Sequence, residues 1–415
     1  MTERTIFALT AAAVLIVGGR AEANGCPTGL YRSADGRQQA AVIQPADGPS
    51  RYTFADGRRG IVGSGGALAC VGGEIRGSQG AWAQVPLKFT AAKFMSHGTA
   101  LSAQLIEPPS PGNHPLVVLV HGSERTSPLQ SYYPYILASY GLTVFAYDKR
   151  GTGGSDGEYT QNFELLADDA AAALREARRL DAGRFTRAGF FGGSQGGWVA
   201  PLAATRSPAD FVAVGFGLIA TPLEEDREEV ADELSAKGYS PQVIAAGTAI
   251  ADAAGRLVSS HFTTGFDEFA RLKRRYAGAP WLKDVKGEYT GAMLAETDAD
   301  LRRVGRALYD NLEIIWNYDS MATMRRVKAP QLWVIAEEDR EAPPEETLAR
   351  LEKLRNAGAK IAIYSFPGTD HGIIEFTQAP DGTRTYTRFA DGYFRLLADW
   401  IKGSVAGPYG HARAR

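Results

Sequence analysis

Cysteine is scarce in this chain: its 415 residues include two, Cys26 and Cys70, and no histidine cluster accompanies them. That excludes a thiolate zinc site and a disulfide-dense scaffold. An excess of charge of either sign is also missing, since 45 Lys and Arg stand against 47 Asp and Glu. A balanced surface gives no electrostatic reason to bind nucleic acid or an anionic membrane. No apolar run reaches the ~20 residues that a membrane-spanning helix needs. With 44% hydrophobic and 22% charged residues, the composition suits a globular protein and excludes disorder, a collagen-like chain and a multi-span membrane protein.

The first distinctive feature is the amino terminus. An apolar or small stretch, Ile6 to Gly18, precedes Arg20-Ala21-Glu22-Ala23, in which Ala21 and Ala23 have the spacing a signal peptidase accepts. We expect residues 1–23 to be a cleaved export signal, the mature chain to start near Asn24, and the protein to be periplasmic or secreted. An uncleaved tether is the alternative. In an oxidising compartment Cys26 and Cys70 are expected to join, two separate buried thiols being the alternative.

Residues 24–86 read as a small all-β module. They are rich in Gly, with alternating stretches at Gln39 to Gln44, Arg51 to Phe54 and Ala67 to Val71, and with the hairpin-turn dipeptides Asp35-Gly36 and Asp56-Gly57. No catalytic constellation lies there, which points to packing or substrate shaping. From residue 87 the texture changes. Apolar runs at Pro115 to Val120, Leu142 to Tyr147, Ala188 to Phe191, Phe211 to Phe216, Gln331 to Ala336 and Lys360 to Phe366 predict strands, several of them buried on both faces. Helices are predicted over Phe163 to Leu180 and from Val199 onward, and this alternation implies a mainly parallel sheet covered on both sides. Over residues 221–327 the alternation stops, and Glu224 to Lys237, Pro241 to Phe262, Phe266 to Tyr276 and Ala299 to Tyr309 read as helices. Lying between two sheet strands, this block is expected to be a helical cap over the sheet's end. The α/β core then comprises residues 87–220 and 328–402, with 403–415 as a tail.

Chemistry concentrates in turns that follow strands. Gly192-Gly193-Ser194-Gln195-Gly196 stands between a strand and a helix. A serine hydroxyl is a weak nucleophile unless geometry and a base activate it. A sharp strand-to-helix turn pushes it outward, glycines tolerate the strained backbone, and the helix points its N-terminus at the developing negative charge. His121-Gly122-Ser123-Glu124-Arg125 follows an earlier strand. Acyl transfer needs two donors on an oxyanion, and we assign them to the main-chain N–H groups of Ser123 and Gln195. His121 is read as holding its loop. Among the six histidines, His371 combines a late position with a post-strand turn, Phe366 to Gly372, and is expected to be the base. The acid is expected at Asp339, within Glu337 to Pro343. Asp370 competes, but adjacent side chains on one loop rarely face each other. The chain order Ser194, Asp339, His371 is the one associated with this nucleophile elbow.

On these motifs, Leu87 to Lys402 resembles the α/β-hydrolase superfamily: Val120 to Ser123, Tyr147 to Ser155, Gly192 to Gly196, Asp339 and Asp370-His371-Gly372 all fall at its motif positions. The Tyr147-Asp148-Lys149-Arg150-Gly151 run and the elbow with Gly197-Trp198 are similar to bacterial esterases grouped near dienelactone hydrolases and serine aminopeptidases. The resemblance implies an α/β-hydrolase fold, a structural role for Asp148 to Ser155, and a serine hydrolase without metal or cofactor. Its expected substrate is a small-molecule ester, or alternatively a short peptide. The chain departs from the pattern at Glu124, where many relatives carry glycine, and at Ser194, where dienelactone hydrolases proper carry cysteine. A peptidase needs carboxylates to grip a free amino terminus; Glu224-Glu225 and Glu228-Glu229 are candidates, against a solvated acidic helix start. Trp281, Trp316 and Tyr318 are candidates for lining a pocket, against plain packing. Lys273-Arg274-Arg275 is read as a solvated helix face.

Overall fold

A computed structural model describes residues 26–45, 48–63 and 65–415. The expected export signal, residues 1–23, and the expected mature start at Asn24 lie outside the described residues.

The amino-terminal elements are all strands: β1 (Gly29–Arg32), β2 (Gln39–Ile43), β3 (Arg51–Phe54), β4 (Arg59–Ile61), β5 (Leu68–Val71), β6 (Glu74–Gly77), β7 (Gly80–Ala81) and β8 (Ala83–Gln84). They form an antiparallel sheet in the order β4-β3-β2-β1-β8 and a meander β5-β6-β7. Cys26 and Cys70 are joined by a disulfide inside this module's own core, beside Tyr31, Tyr52, Phe54 and Trp82.

The rest begins with two long strands, β9 (Lys88–Ser96) and β10 (Thr99–Glu107), and continues as β11 (His114–Val120), α1 (Tyr133–Ser139), β12 (Thr143–Tyr147), α2 (Phe163–Leu180), β13 (Phe185–Gly193), α3 (Gly196–Arg206) and β14 (Val212–Gly215). Five helices follow: α4 (Pro222–Ala236), α5 (Pro241–Ser259), α6 (Phe266–Tyr276), α7 (Thr290–Ala295) and α8 (Asp298–Tyr309). The chain then returns through α9 (Ser320–Arg326), β15 (Gln331–Ala336), α10 (Pro344–Asn356), β16 (Ile361–Phe366), a hairpin system β17 (Thr369–Asp370), β18 (Ile374–Gln378) and β19 (Arg384–Phe389), α11 (Tyr393–Lys402) and β20 (Arg413–Ala414).

Nine strands make the central sheet in the order β20-β16-β15-β14-β13-β11-β12-β10-β9. The six from β11 to β16 run parallel, while β9, β10 and β20 pair antiparallel at the edges. Alternation of side chains along each strand feeds two cores. Leu116, Val118 and Val120 of β11 pack with α2 and α3 on one face, and Val117 and Leu119 pack with α1 and α11 on the other. The expected α/β-hydrolase architecture, with its mainly parallel sheet and separate all-β module, is therefore present.

Three features correct the sequence reading. Residues 403–415 do not form a loose tail, because β20 adds a strand beside β16 and Tyr409 is buried against α11. The cap helices α4 to α8 build their own core around Leu257, Phe269, Met293 and Trp316, but α9 packs on the sheet through Met324, so the cap ends before residue 327. The β17–β19 hairpin is not legible in the sequence; β17 is two buried polar residues, and β18 and β19 lie near the surface without the apolar run of a buried strand.

Candidate active site

Strand β13 ends at the elbow. Ser194 sits at φ +53°, a left-handed conformation that non-glycine residues rarely adopt. The turn is tight enough to demand glycine on both sides: a Cβ on Gly192 would lie 2.4 Å from the Gly196 carbonyl oxygen, and one on Gly196 would lie 2.9 Å from that of Val120. The turn is pinned by Ser194 N–H donating to the Gly215 carbonyl at 3.2 Å and by Gly197 N–H donating to the Ser194 carbonyl at 2.7 Å.

The loop after β11 lies directly against this elbow, since a Cβ on Gly122 would stand 3.5 Å from Ser194 Cβ. Lys149, buried with its Nζ 2.7 Å from the Gly122 carbonyl, and Tyr159, whose hydroxyl donates to the Ser123 carbonyl at 2.5 Å, fix the loop from behind. Burial pulls the Lys149 ammonium down to about 8, against the pull of Glu124 in the other direction. His121 ties the loop to β12: its Nε2–H donates to the Tyr147 carbonyl at 2.5 Å. Among the described residues, no acceptor takes the main-chain N–H of Ser123 or of Gln195. Both residues border one cavity with Ser194. Ser155 donates its hydroxyl to the Asp148 carbonyl at 2.6 Å and accepts from Ser102 N–H, so the Asp148 to Ser155 loop is held by its own bonds.

His371 follows β17, and its Nδ1 lies 3.1 Å from both carboxylate oxygens of Asp339. Asp339 is buried in the turn after β15, where its Oδ1 also accepts from the N–H groups of Glu341 (3.1 Å) and Ala342 (2.8 Å). Asp370 serves a different purpose. It accepts from the N–H groups of Arg340 and His371, from the Tyr386 hydroxyl and from Arg384 Nη1 at 2.6 Å, and so ties the β17–β19 hairpin to the loop that carries the histidine. The Phe216 ring meets His371 edge-on at 5.0 Å. Burial disfavours the imidazolium, but Asp339, Glu341 and Asp370 outweigh it and raise His371 to about 9. Among the described residues no direct hydrogen bond joins Ser194 Oγ to His371; Nε2 faces Glu341 Oε1 at 3.5 Å. Catalytic hydrogen bonds are often long before substrate arrives.

Two cavities open on Ser194. One, of about 350 Å³, is apolar and bordered by Ser194, His371, Tyr133, Phe191, Phe216 and Phe389. The other, of about 280 Å³, lies under the cap and brings Ser123, Ser194 and Gln195 together with Glu225, Glu288 and Glu341. Of the acidic candidates at the start of α4, Glu225 faces this cavity. Glu224 turns away to cap α4 with Thr221 and to pair with Arg350 at 2.7 Å. Glu228 and Glu229 stand behind the wall, where burial first and neighbouring carboxylates second push both upward. Trp316 lines the cavity, Tyr318 packs beneath Phe163, and Trp281 packs on Tyr276. Arg274 is exposed and pairs with Asp298 on the cap surface, whereas Lys273 is half-buried, pairing with Asp298 and donating to the Glu296 carbonyl, so the run is only partly a solvated face. Sequence reasoning missed Glu288, Tyr289 and Glu341 as site residues. Asp226 supplies the reason for the first two: its buried carboxylate accepts from Tyr289 N–H, Thr290 N–H and Thr290 Oγ1, drawing residues 288–290 against α4.

The profile of the alpha/beta hydrolase family matches residues 117–384, more than half of the chain. No curated protein matches. Among solved structures, the chain is similar to an esterase of Pyrococcus furiosus at 15% identity, over 69% of this chain and 83% of that one, with a TM-score of 0.43. An acylaminoacyl peptidase of Pyrococcus horikoshii aligns at 16% identity over 81% of this chain and 50% of its own (TM-score 0.42). A proline iminopeptidase of Mycobacterium smegmatis aligns at 19% identity over 76% and 98% (TM-score 0.45).

Proposed function

We propose, because the chain belongs to the alpha/beta hydrolase family, that it is an exported serine hydrolase that cleaves carboxylic esters through an acyl-enzyme. Ser194 Oγ attacks the ester carbonyl carbon while its proton passes to His371 Nε2, and Asp339 holds the Nδ1–H and balances the imidazolium. The main-chain N–H groups of Ser123 and Gln195 take the oxyanion. The C–O bond to the alcohol then breaks, and the alcohol leaves with the proton from His371. Water attacks the acyl group, returns a proton through His371, and releases the acid and Ser194.

The observation that carries this reading is His371, paired with the buried Asp339, bordering the same cavity as a serine held at φ +53°. The test is turnover of p-nitrophenyl esters of increasing acyl length and of an aminoacyl p-nitroanilide, with Ser194→Ala beside the wild type. Ester turnover should fall about a thousandfold or more in the variant, and a fluorophosphonate should label Ser194. Absence of both turnover and labelling would overturn the reading. Amide hydrolysis is the second reading, favoured by the three carboxylates in the cap cavity, and preference for the anilide would establish it. Export rests on the residue 1–23 pattern and agrees with the joined cysteines. Sequencing the amino terminus of protein recovered outside the cytoplasm should find it near Asn24; a retained Met1 would overturn cleavage.

A further inference from the structure

The two cavities that meet at Ser194 are opposite in chemistry. The one beside His371 is walled mainly by aromatic rings, with Glu124 its one carboxylate, whereas the one under the cap presents Glu225, Glu288 and Glu341. These carboxylates arrive from three separate segments: the first turn of α4, the loop before α7 and the turn after β15. We propose that the substrate carries a protonated amine on one side of its scissile carbonyl, held in the cap cavity by Glu225, Glu288 and Glu341, and an apolar group on the other side, held by the rings of the second cavity. The proposal deepens the serine-hydrolase reading and rests on it.

Three observations point to a cation with N–H groups. First, Glu225 lacks local compensation, although Glu341 faces His371: burial first, then the acidic neighbours Glu288, Glu341, Asp226 and Asp339, hold the Glu225 carboxyl well above the usual carboxylate range. Among the described residues no Lys or Arg forms an ion pair with Glu225 or Glu288. Second, Gln195 on the same wall, only 5% exposed, carries a side-chain Oε1 with no hydrogen-bond partner among the described residues. An orphaned buried acceptor is costly, and an ammonium offers three donors and no acceptor, so it answers both the charge and the vacant lone pairs. Third, Trp316 and Tyr289 meet edge-to-face at 5.3 Å on the same wall, an aromatic surface on which a cation is stabilised. The carboxylates do not converge into a metal-ligand set among the described residues. An organic cation, spread along the wall, fits them better.

The test uses the purified protein and two isosteric pairs of esters. In one pair the amine is on the acyl side (methyl 2-aminohexanoate against methyl 2-methylhexanoate). In the other it is on the alcohol side (2-dimethylaminoethyl hexanoate against 3-methylbutyl hexanoate). In one pair the amine-bearing member should show about tenfold or greater kcat/KM, the size expected of one charge-assisted hydrogen bond. That preference should shrink as ionic strength rises. Glu225→Gln and Glu288→Gln should each lower the amine-to-neutral ratio, while Glu225→Asp should retain most of it. Should the variants fail to fold, the wild type still decides the matter: butylammonium should inhibit neutral-ester turnover competitively and 1-butanol should not at the same concentration. Equal kcat/KM within both pairs, with turnover still dependent on Ser194, would overturn the cation site and leave ester hydrolysis standing. Loss of all Ser194-dependent turnover and labelling would instead overturn the reading beneath it.

Discussion

At the scale of one residue, the charge on His371 decides whether Ser194 can lose its proton. A general base must be neutral, and Asp339, Glu341 and Asp370 together favour the charged ring, holding it at about 9 against the penalty of burial. The sign follows: ester kcat/KM in the free enzyme should climb with pH through the neutral range and level off above the raised value. Of the three acids, Glu341 is the one that faces Nε2, at 3.5 Å, the nitrogen that must receive the Ser194 proton. Glu341→Gln removes that charge and should move the acidic limb of the profile to lower pH, raising activity at pH 6 to 7 relative to the plateau. An unmoved limb in the variant would show that Glu341 does not act on the base. The same shift has a consequence for stability. A histidine raised in the folded state contributes fully below its ordinary value of 6.5, and that contribution disappears as pH rises through about 9.

At the scale of elements, the cap is positioned by one buried carboxylate more than by helix propensity. Asp226, fully buried on α4, takes three hydrogen bonds from Tyr289 and Thr290 and thereby sets Glu288 beside Glu225. Asp226→Ala leaves two main-chain N–H groups unpaired in a buried place, a loss of about 1–3 kcal/mol for each. Denaturant unfolding should show that loss. The amine-to-neutral preference should fall with it, because the 288–290 loop is released. The same contact explains what the sequence could and could not reveal. Strands β11 to β16 were legible because burial on both faces leaves a continuous apolar run, as in Leu116 to Val120. Helices α2 and α6 matched their expected bounds because one apolar stripe faces the core. Ser194, Asp339 and His371 could be nominated because each stands in a turn after a strand, where local sequence fixes local geometry. Glu288 and Glu341 could not, because their proximity depends on how a long insertion folds back over the sheet. The hairpin β17–β19 was equally opaque: its residues Thr385, Tyr386 and Thr387 are exposed, and its place is set by long-range ties, among them those from Asp370 to Arg384 and Tyr386.

At the scale of the whole molecule, the amino-terminal module reaches the active site through that hairpin. Phe389 N–H donates to the Gly57 carbonyl at 3.0 Å, Arg388 donates to the Asp56 carbonyl, and Arg59 donates to the Thr387 carbonyl at 3.1 Å while its guanidinium covers the Phe389 ring. Phe389 in turn borders the apolar cavity beside Ser194 and His371. The module is itself fastened by the Cys26–Cys70 disulfide, which encloses a separation of 44 residues and on the chain-entropy model contributes about 4 kcal/mol. Paired Cys26→Ser and Cys70→Ser substitutions should lower the unfolding midpoint accordingly, and reduction of the wild type should reproduce the effect. A sharper probe of the connection is Gly57. It sits at φ +94°, and a Cβ there would stand 2.3 Å from the Phe389 carbonyl oxygen, a main-chain atom that cannot swing aside. Gly57→Ala must therefore both strain the turn and push the module off β19. If the module shapes the apolar cavity, the variant should lose discrimination among acyl lengths, with KM rising most for the esters that fill the cavity best. Its pH–rate profile should stay that of the wild type, since Asp339 and Asp370 still hold His371. A uniform fall in kcat across all acyl lengths, with the KM pattern intact, would mean that the module supports the fold without shaping the cavity.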